Sequence, residues 1–200
     1  MVILQEEKHI MHRWKKEHGK LYFAKLKEWQ KSLIESIVIF IIAIIFFSTV
    51  IRNGVVPSGS MEPTLNIGDI VVVNGLSYIK NDPQRGDIVI FRTDEIPDEM
   101  LIKRVIGLPG DSLMFIDGSL YINGELLYED YLAEGMQTNS FRDFEIPEGC
   151  YFVMGDNRTN SYDSRSWRNP YIMKADIKGK MILKLPFSKV KNGLYAFLKR

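Results

Sequence analysis

The chain has 200 residues, of which 46% are hydrophobic and 26% are charged, a composition typical of a globular protein. The net charge of +1 hides a segregation: residues 1–31 carry eight Lys/Arg against four Asp/Glu, residues 173–200 eight against one, and residues 53–172 nine against nineteen. The acidic middle argues against nucleic acid as a partner. One cysteine, Cys150, excludes an intramolecular disulfide, and all three histidines lie in the first 20 residues. We therefore expect no metal site and no cofactor.

A long apolar run extends from Leu33 to Ile51 and is interrupted only by Glu35, Ser36, Ser48 and Thr49. As a helix it would span roughly 28 Å, close to the ~30 Å hydrocarbon core of a bilayer. A buried core helix would show a polar face, and a cleaved leader would have a shorter amino region and a small-residue site after it. The run therefore predicts an uncleaved transmembrane anchor, assigned to residues 32–52. The cations before it predict a cytoplasmic segment 1–31 and an extracytoplasmic domain 53–200.

The stretch "VVPSGSMEPTL", Val55 to Leu65, follows the anchor directly. Two serines flank a glycine, and prolines stand on both sides. One interpretation is a juxtamembrane linker. The other is a rigid turn that presents Ser60 as a nucleophile, which then requires a base to activate it.

Short β-branched runs dominate the rest of the chain. They are "DIVVVNGL", "GDIVIFRT", "LIKRVIGL", "SLMFIDGSLYINGELLY", "GCYFVMGDN" and "KGKMILKLPF". Asp117-Gly118 and Asn123-Gly124 are tight-turn signals between alternating apolar residues. The pattern predicts a mainly β, antiparallel domain, with a loop excursion over residues 129–149. The tail "FSKVKNGLYAFLKR" is either a solvated end or a surface that touches anionic lipid.

Two adjacent cations, Lys103 and Arg104, occur within the predicted strand "MLIKRVIGL". Strand alternation puts them on opposite faces, so one of them shares a face with apolar neighbours. If the face of Leu101 and Val105 is the inner one, Lys103 is buried and its pKa is lowered. Arginine could not act as a base, because its guanidinium stays protonated. The alternative is an ordinary surface lysine.

A polar run, "GDNRTNSYDSR", covers Gly155 to Arg165. It is either a plain polar turn or a self-paired loop that orients another group, with Asp163 and Arg165 as a candidate pair. No histidine follows residue 18. A nucleophilic Ser60 would therefore need Lys, Asp or Glu as its base, and the Ser-Lys arrangement is a known variant of the catalytic triad.

Four motifs, "SGSMEPTL", "RGDIVIF", "KRVIGLPGD" and "GDNRTNSYDSR", resemble the ordered motif set of bacterial type I signal peptidases. They occur in the family's order, behind an anchor like the family's, and span about residues 58 to 165. Only residues 112–154 separate the lysine motif from the last one. The chain therefore resembles the compact, single-anchor form, without the long inserted domain of larger members.

The resemblance implies a membrane-bound serine endopeptidase with an antiparallel β catalytic core, a fold related to that of LexA-like self-cleaving repressors. Ser60 would be the nucleophile and Lys103 the general base. The Ser58 hydroxyl and the Ser60 backbone N–H would form the oxyanion hole. Ser161 would hydrogen-bond the lysine amine, and Asp163 and Arg165 would form a supporting ion pair.

The resemblance also implies substrates and surroundings. Signal peptides of exported preproteins would be cut after small residues of the Ala-X-Ala type, in pockets lined by Val56, Pro57, Met61, Leu65, Leu101 and Ile102. The cell membrane of a bacterium would be the location, with the lipid bilayer and the protein translocase as neighbours. Two alternatives remain: a self-cleaving Ser/Lys peptidase, and an anchored binding module that lost catalysis.

Overall fold

The computed structural model describes residues 27–47 and 50–186, together with Trp14. The chain divides into two compact units, Met1–Ser48 and Thr49–Arg200. Helix α1, Lys27–Phe47, is the described part of the first unit, and its 21 residues are long and apolar enough to cross a membrane. At about 1.5 Å per residue the helix is about 31 Å long. The rest of the basic segment before residue 27, and the predicted lipid contact of the tail after residue 186, lie outside the described residues.

The described residues of the second unit form eleven strands. They are β1 (Ile51–Val55), β2 (Ile70–Asn74), β3 (Ile88–Phe91), β4 (Leu101–Gly107), β5 (Ser112–Ile116), β6 (Ser119–Ile122), β7 (Glu125–Leu126), β8 (Phe144–Glu145), β9 (Cys150–Met154), β10 (Ile172–Met173) and β11 (Ile177–Leu185). A seven-stranded sheet has the order β1-β2-β11-β3-β4-β9-β10, and a four-stranded sheet has the order β7-β6-β5-β8. All pairs in both sheets are antiparallel. The predicted fold class is confirmed.

Strand β1 begins inside the segment that the sequence assigns to the anchor. Ile51 pairs with Asn74 and Arg52 with Val73, in a register that continues to Val55 opposite Ile70. Apolar composition does not distinguish the end of a membrane helix from the start of an apolar strand. The ladder to β2 makes residues 51 and 52 part of the β domain.

Strand β4 is covered on both faces, which positions the predicted lysine. Val105 belongs to one buried cluster and Ile106 to another. Both cations therefore lie inside: Lys103 is 5% exposed and Arg104 is 9% exposed. The alternation in the sequence predicts one buried cation, because it cannot indicate that a second layer covers the other face.

Candidate active site

The turn that carries Ser60 is fixed by the hydrophobic core. It follows β1 and forms a short 3-10 helix, Gly59–Met61. Met61 and Leu65 are completely buried and pack in one cluster with Val56. Burial of these apolar side chains on both sides of the turn fixes the path of the chain. Ser60 itself keeps 8% of its surface exposed.

The Ser60 hydroxyl meets the Lys103 amine. Ser60 Oγ lies 2.6 Å from Lys103 Nζ, although 43 positions separate the two residues in the chain. Strand β4 brings the lysine there, in register opposite Val89 of β3. The exposed Ser58 also contacts the Ser60 hydroxyl: Ser58 Oγ donates to Ser60 Oγ at 3.4 Å. The two groups that the sequence predicts as nucleophile and base are therefore in direct contact.

Burial lowers the pKa of Lys103 from its ordinary 10.5 to about 8, because loss of water disfavours the charged ammonium. The negative charges of Asp163 and Asp156 raise the pKa, and the positive charge of Arg165 lowers it further. With a pKa near 8, about a tenth of the amines are neutral at pH 7. A neutral amine at hydrogen-bond distance can accept the serine proton.

The carboxylates around the lysine are already paired with arginines. Arg104 Nη2 lies 2.7 Å from Asp156 Oδ2, and Arg165 Nε lies 2.9 Å from Asp163 Oδ1. Within residues 27–47 and 50–186, Lys103 forms no salt bridge of its own. Arg165 thus offsets part of the effect of the carboxylates on Lys103, and burial remains the main cause of the lowered pKa.

The loop of residues 155–165 packs directly against the serine turn. A Cβ at Gly155 would lie 2.3 Å from Ser60 O and 2.3 Å from Ser161 Oγ, so only glycine fits there without displacing the main chain. The Gly155 N–H donates to Asp163 Oδ2 at 3.0 Å. The Asp163–Arg165 pair therefore holds the segment on which the serine turn rests.

Ser161 lies in this loop, but the expected hydrogen bond to Lys103 does not form. The Ser161 Oγ is buried and has no hydrogen-bond partner among the described residues. It borders Gly155 together with the Ser60 carbonyl. A buried hydroxyl without a hydrogen-bond partner lowers the free energy of unfolding by about 1–3 kcal/mol. Ser161 therefore offers an unused hydrogen-bond donor beside the serine turn.

An apolar groove of about 260 Å³ is lined in part by the residues that directly precede the serine turn in the sequence. Four of the predicted pocket residues line it: Val56, Pro57, Leu101 and Ile102. The other two, Met61 and Leu65, are completely buried in the core and do not border this groove among the described residues. Their role is to hold the turn in place.

A comparison with known families assigns the chain to one of them. The family model described as signal peptidase, peptidase S26, matches residues 26–185. The chain belongs to the signal peptidase S26 family. The match includes α1, the serine turn, β4 and the loop of residues 155–165.

Relatives within the signal peptidase family come from several bacteria. A probable signal peptidase I-2 of Synechocystis is 44% identical over 117 residues, covering 56% of this chain and 53% of that protein. Signal peptidase I of Pseudomonas aeruginosa is 36% identical over 189 residues, covering 74% of this chain and 66% of that protein. The match thus spans between half and two thirds of these relatives. A crystal structure of a signal peptidase I from Enterococcus faecalis aligns with a TM-score of 0.41 and 34% identity, covering 51% of this chain and 98% of that one.

Sequence reasoning missed several residues that order this site. Arg104 binds Asp156 through two nitrogens and stacks on the Tyr131 ring at 3.9 Å. Arg158 forms an ion pair with Glu129 from the loop excursion. The density of opposite charges in the polar run indicates a self-paired loop, but it does not identify the partners outside the run. Among the described residues, no group of three potential ligands is suited to a metal ion.

Proposed function

We propose that this chain is a membrane-anchored serine endopeptidase that removes signal peptides from preproteins. The observation that carries the proposal is the 2.6 Å contact between Ser60 Oγ and a buried lysine amine. The pKa of that amine is lowered to about 8. Membership of the signal peptidase family supports the substrate class.

The first half of the reaction is acylation of Ser60. The neutral Lys103 amine takes the hydroxyl proton as Ser60 Oγ attacks the carbonyl carbon of the scissile bond. The tetrahedral intermediate collapses, the C–N bond breaks, and the lysine passes its proton to the leaving amine. A signal peptide is left esterified to Ser60, and the mature protein departs.

The second half is hydrolysis of this ester. The neutral Lys103 amine takes a proton from water, and the hydroxide adds to the acyl carbon. The bond to Ser60 Oγ breaks, and the oxygen regains its proton from the lysine. In both halves the negative oxygen of the intermediate accepts hydrogen bonds from the Ser58 hydroxyl and the Ser60 N–H.

Three residues of the polar loop support the lysine in this proposal. Asp163 and Arg165 fix the loop against the serine turn through the Gly155 N–H. The Ser161 hydroxyl, which has no hydrogen-bond partner among the described residues, is the group proposed to hydrogen-bond the Lys103 amine and hold it in line.

Substrate selection follows from the size of the groove. The apolar groove of about 260 Å³ is the proposed site for the small side chains before the cut, and the walls of a shallow pocket would reject bulkier side chains by steric clash. Small residues of the Ala-X-Ala type before the cut satisfy this limit. The substrate binds extended beside the strand that leads into Ser58, through main-chain hydrogen bonds.

The location proposed is the cytoplasmic membrane of a bacterium. The segment 1–31 lies in the cytoplasm, the anchor crosses the bilayer from residue 32 onward, and the domain that begins with β1 at Ile51 faces the outside,. Preproteins reach this enzyme as they leave the translocase, with their own apolar segment still in the lipid. Helix α1 supports a single anchor among the described residues.

Cleavage of a purified preprotein with an Ala-X-Ala site tests the proposal. We expect the wild-type chain in detergent micelles to release the mature protein, and Ser60→Ala and Lys103→Met to release none. Lys103→His also fails, because the shorter imidazole does not reach Ser60 in the same geometry. Lys174→Met is the matched control, since Lys174 is a surface lysine paired with Asp82.

Two outcomes would overturn the proposal. An anchored binding module would leave the preprotein intact in every version. A self-cleaving peptidase would cut its own chain and not the preprotein. Mass spectrometry of all products distinguishes these outcomes from cleavage at the predicted site.

A further inference from the structure

Asn157 connects the polar loop to the serine turn through two hydrogen bonds. Its backbone N–H donates to Ser60 O at 3.1 Å, and its side-chain Nδ2 donates to Gly59 O at 3.1 Å. Among the described residues, these are the hydrogen bonds that reach the main chain of Gly59 and Ser60 from another part of the fold. Two consecutive carbonyls of the turn are thus held by one residue.

The orientation of the Asn157 side chain is fixed by a second neighbour. The Thr159 hydroxyl donates to Asn157 Oδ1 at 3.3 Å, so the amide nitrogen faces the turn. A carboxamide is needed for this arrangement, because its oxygen accepts a hydrogen bond and its nitrogen donates one. Aspartate has no donor, and its carboxylate would lie against the Gly59 carbonyl oxygen and repel it.

The main chain of Asn157 is tied to the strand that carries the lysine. The preceding residue, Asp156, accepts two hydrogen bonds from Arg104 at 2.9 and 2.7 Å. Arg104 follows Lys103 directly in β4. One short path of bonds therefore runs from the lysine strand through Asp156 and Asn157 to the carbonyl of Ser60.

We propose that Asn157 is a positioning residue that holds Ser60 Oγ at reacting distance from Lys103 Nζ. The proposal rests on the peptidase function argued above and deepens it. The side-chain bond to Gly59 fixes the first residue of the turn, and the main-chain bond fixes the second. Loss of the side-chain bond lets the turn rotate about its buried end at Met61, which moves the hydroxyl away from the amine without unfolding the domain.

The test measures preprotein cleavage by Asn157→Ala and Asn157→Asp in the full chain in micelles, with Asn160→Ala as the control. Asn160 lies on the same loop and is exposed. We expect kcat to fall about 10- to 100-fold in both variants, as for an angstrom-scale misplacement. KM should stay within about twofold of wild type, because substrate binding does not use this bond. Thr159→Val, which frees the amide to turn, should give a smaller loss.

The pH profile separates positioning from charge. Asn157→Ala neither adds nor removes a charge near Lys103, so the midpoint of its kcat/KM profile should match that of wild type. A loss confined to Asn157→Asp would indicate that charge alone matters and would overturn the proposal. Wild-type kcat in both Asn157 variants would overturn it as well.

Hydrogen–deuterium exchange gives a readout that does not depend on cleavage. In Asn157→Ala, the amides of residues 58–62 should exchange faster, while those of β4 stay as in wild type. If the wild-type chain did not cleave preproteins, the proposed function would fail, and this exchange pattern would still decide whether Asn157 orders the turn. Unchanged exchange at residues 58–62 would refute the positioning role.

Discussion

Two neighbouring cations on β4 show how one environment gives two different chemical results. Lys103 and Arg104 are both buried, but arginine remains protonated in proteins whereas a buried lysine shifts its pKa readily. Arg104 is matched by Asp156 and stays a structural cation. Lys103 has a hydroxyl as its near neighbour, and its desolvation is relieved by loss of the proton.

The lowered pKa of Lys103 predicts how activity depends on pH. Because the neutral amine is the base, kcat/KM should rise with pH through about 8 and fall about tenfold for each unit below that value. Activity is therefore lost on acidification and retained on the alkaline side. Initial rates of preprotein cleavage between pH 6 and pH 10 measure this profile.

A control for that profile removes one source of positive charge near the amine. Arg165 lowers the pKa of Lys103, so Arg165→Gln should shift the midpoint to higher pH, provided that the variant remains folded by circular dichroism. A rate that does not change between pH 6 and pH 10 would contradict a titrating lysine in the mechanism.

At the scale of strands and loops, the sequence predicts elements better than it predicts layers. β-branched runs indicate β2, β3 and β4, and the Asp117-Gly118 and Asn123-Gly124 turns have the positive φ angles that such turns require,. Strand β1 is not predicted because its apolar residues continue the membrane-like run. The two-residue strands β8 and β10 carry too little pattern to predict, whereas β7 follows the Asn123-Gly124 turn that the sequence indicates.

For the candidate site, the sequence predicts which residues take part but not how they contact one another. Motif resemblance is enough to name Ser60 and Lys103, because both residue types and their order are distinctive. Their contact depends on how distant strands pair, and local spacing does not encode that. The partners of Arg104 and Arg158 depend on which surfaces the loop excursion covers. The sequence therefore does not predict that Tyr131 contacts Arg104 or that Glu129 pairs with Arg158.

The ion pair between Glu129 and Arg158 links the loop excursion of residues 129–149 to the loop of residues 155–165. The Arg158 side chain is fully buried and that of Glu129 is 7% exposed. Glu129→Gln leaves a buried guanidinium without its counter-ion, and we expect the free energy of unfolding to fall by about 3 kcal/mol. Urea denaturation followed by tryptophan fluorescence measures the loss.

Two further variants test whether that loss comes from the unpaired charge. Glu125→Gln, at an exposed position on β7, should change stability by less than about 0.5 kcal/mol. The double variant Glu129→Gln/Arg158→Met removes both charges and should recover part of the loss. If the double variant were the least stable of all, packing of the arginine and not its charge would dominate.

At the scale of the whole chain, charge and hydropathy divide the molecule along its length. The basic first segment, the apolar helix α1 and the acidic β domain follow one another. Nine positions along the chain separate Ile51, the first residue of β1, from Ser60, so the serine turn follows the apolar segment closely in sequence. If the substrate's apolar segment also sits in the bilayer, both reactants are confined to a thin layer, which raises their effective concentration.

Removal of the first unit should therefore affect membrane substrates selectively. We expect a chain that starts at Thr49, the first residue of the second compact unit, to cleave a short soluble peptide with the same kcat/KM as the full chain. On a preprotein embedded in lipid vesicles, the truncated chain should be slower by about 100-fold or more, because the encounter is no longer confined to the surface. Both substrates are assayed at equal enzyme concentration, with vesicle-reconstituted full chain as the reference. Equal rates on the vesicle substrate would mean that anchoring by α1 does not raise the effective concentration of the reactants.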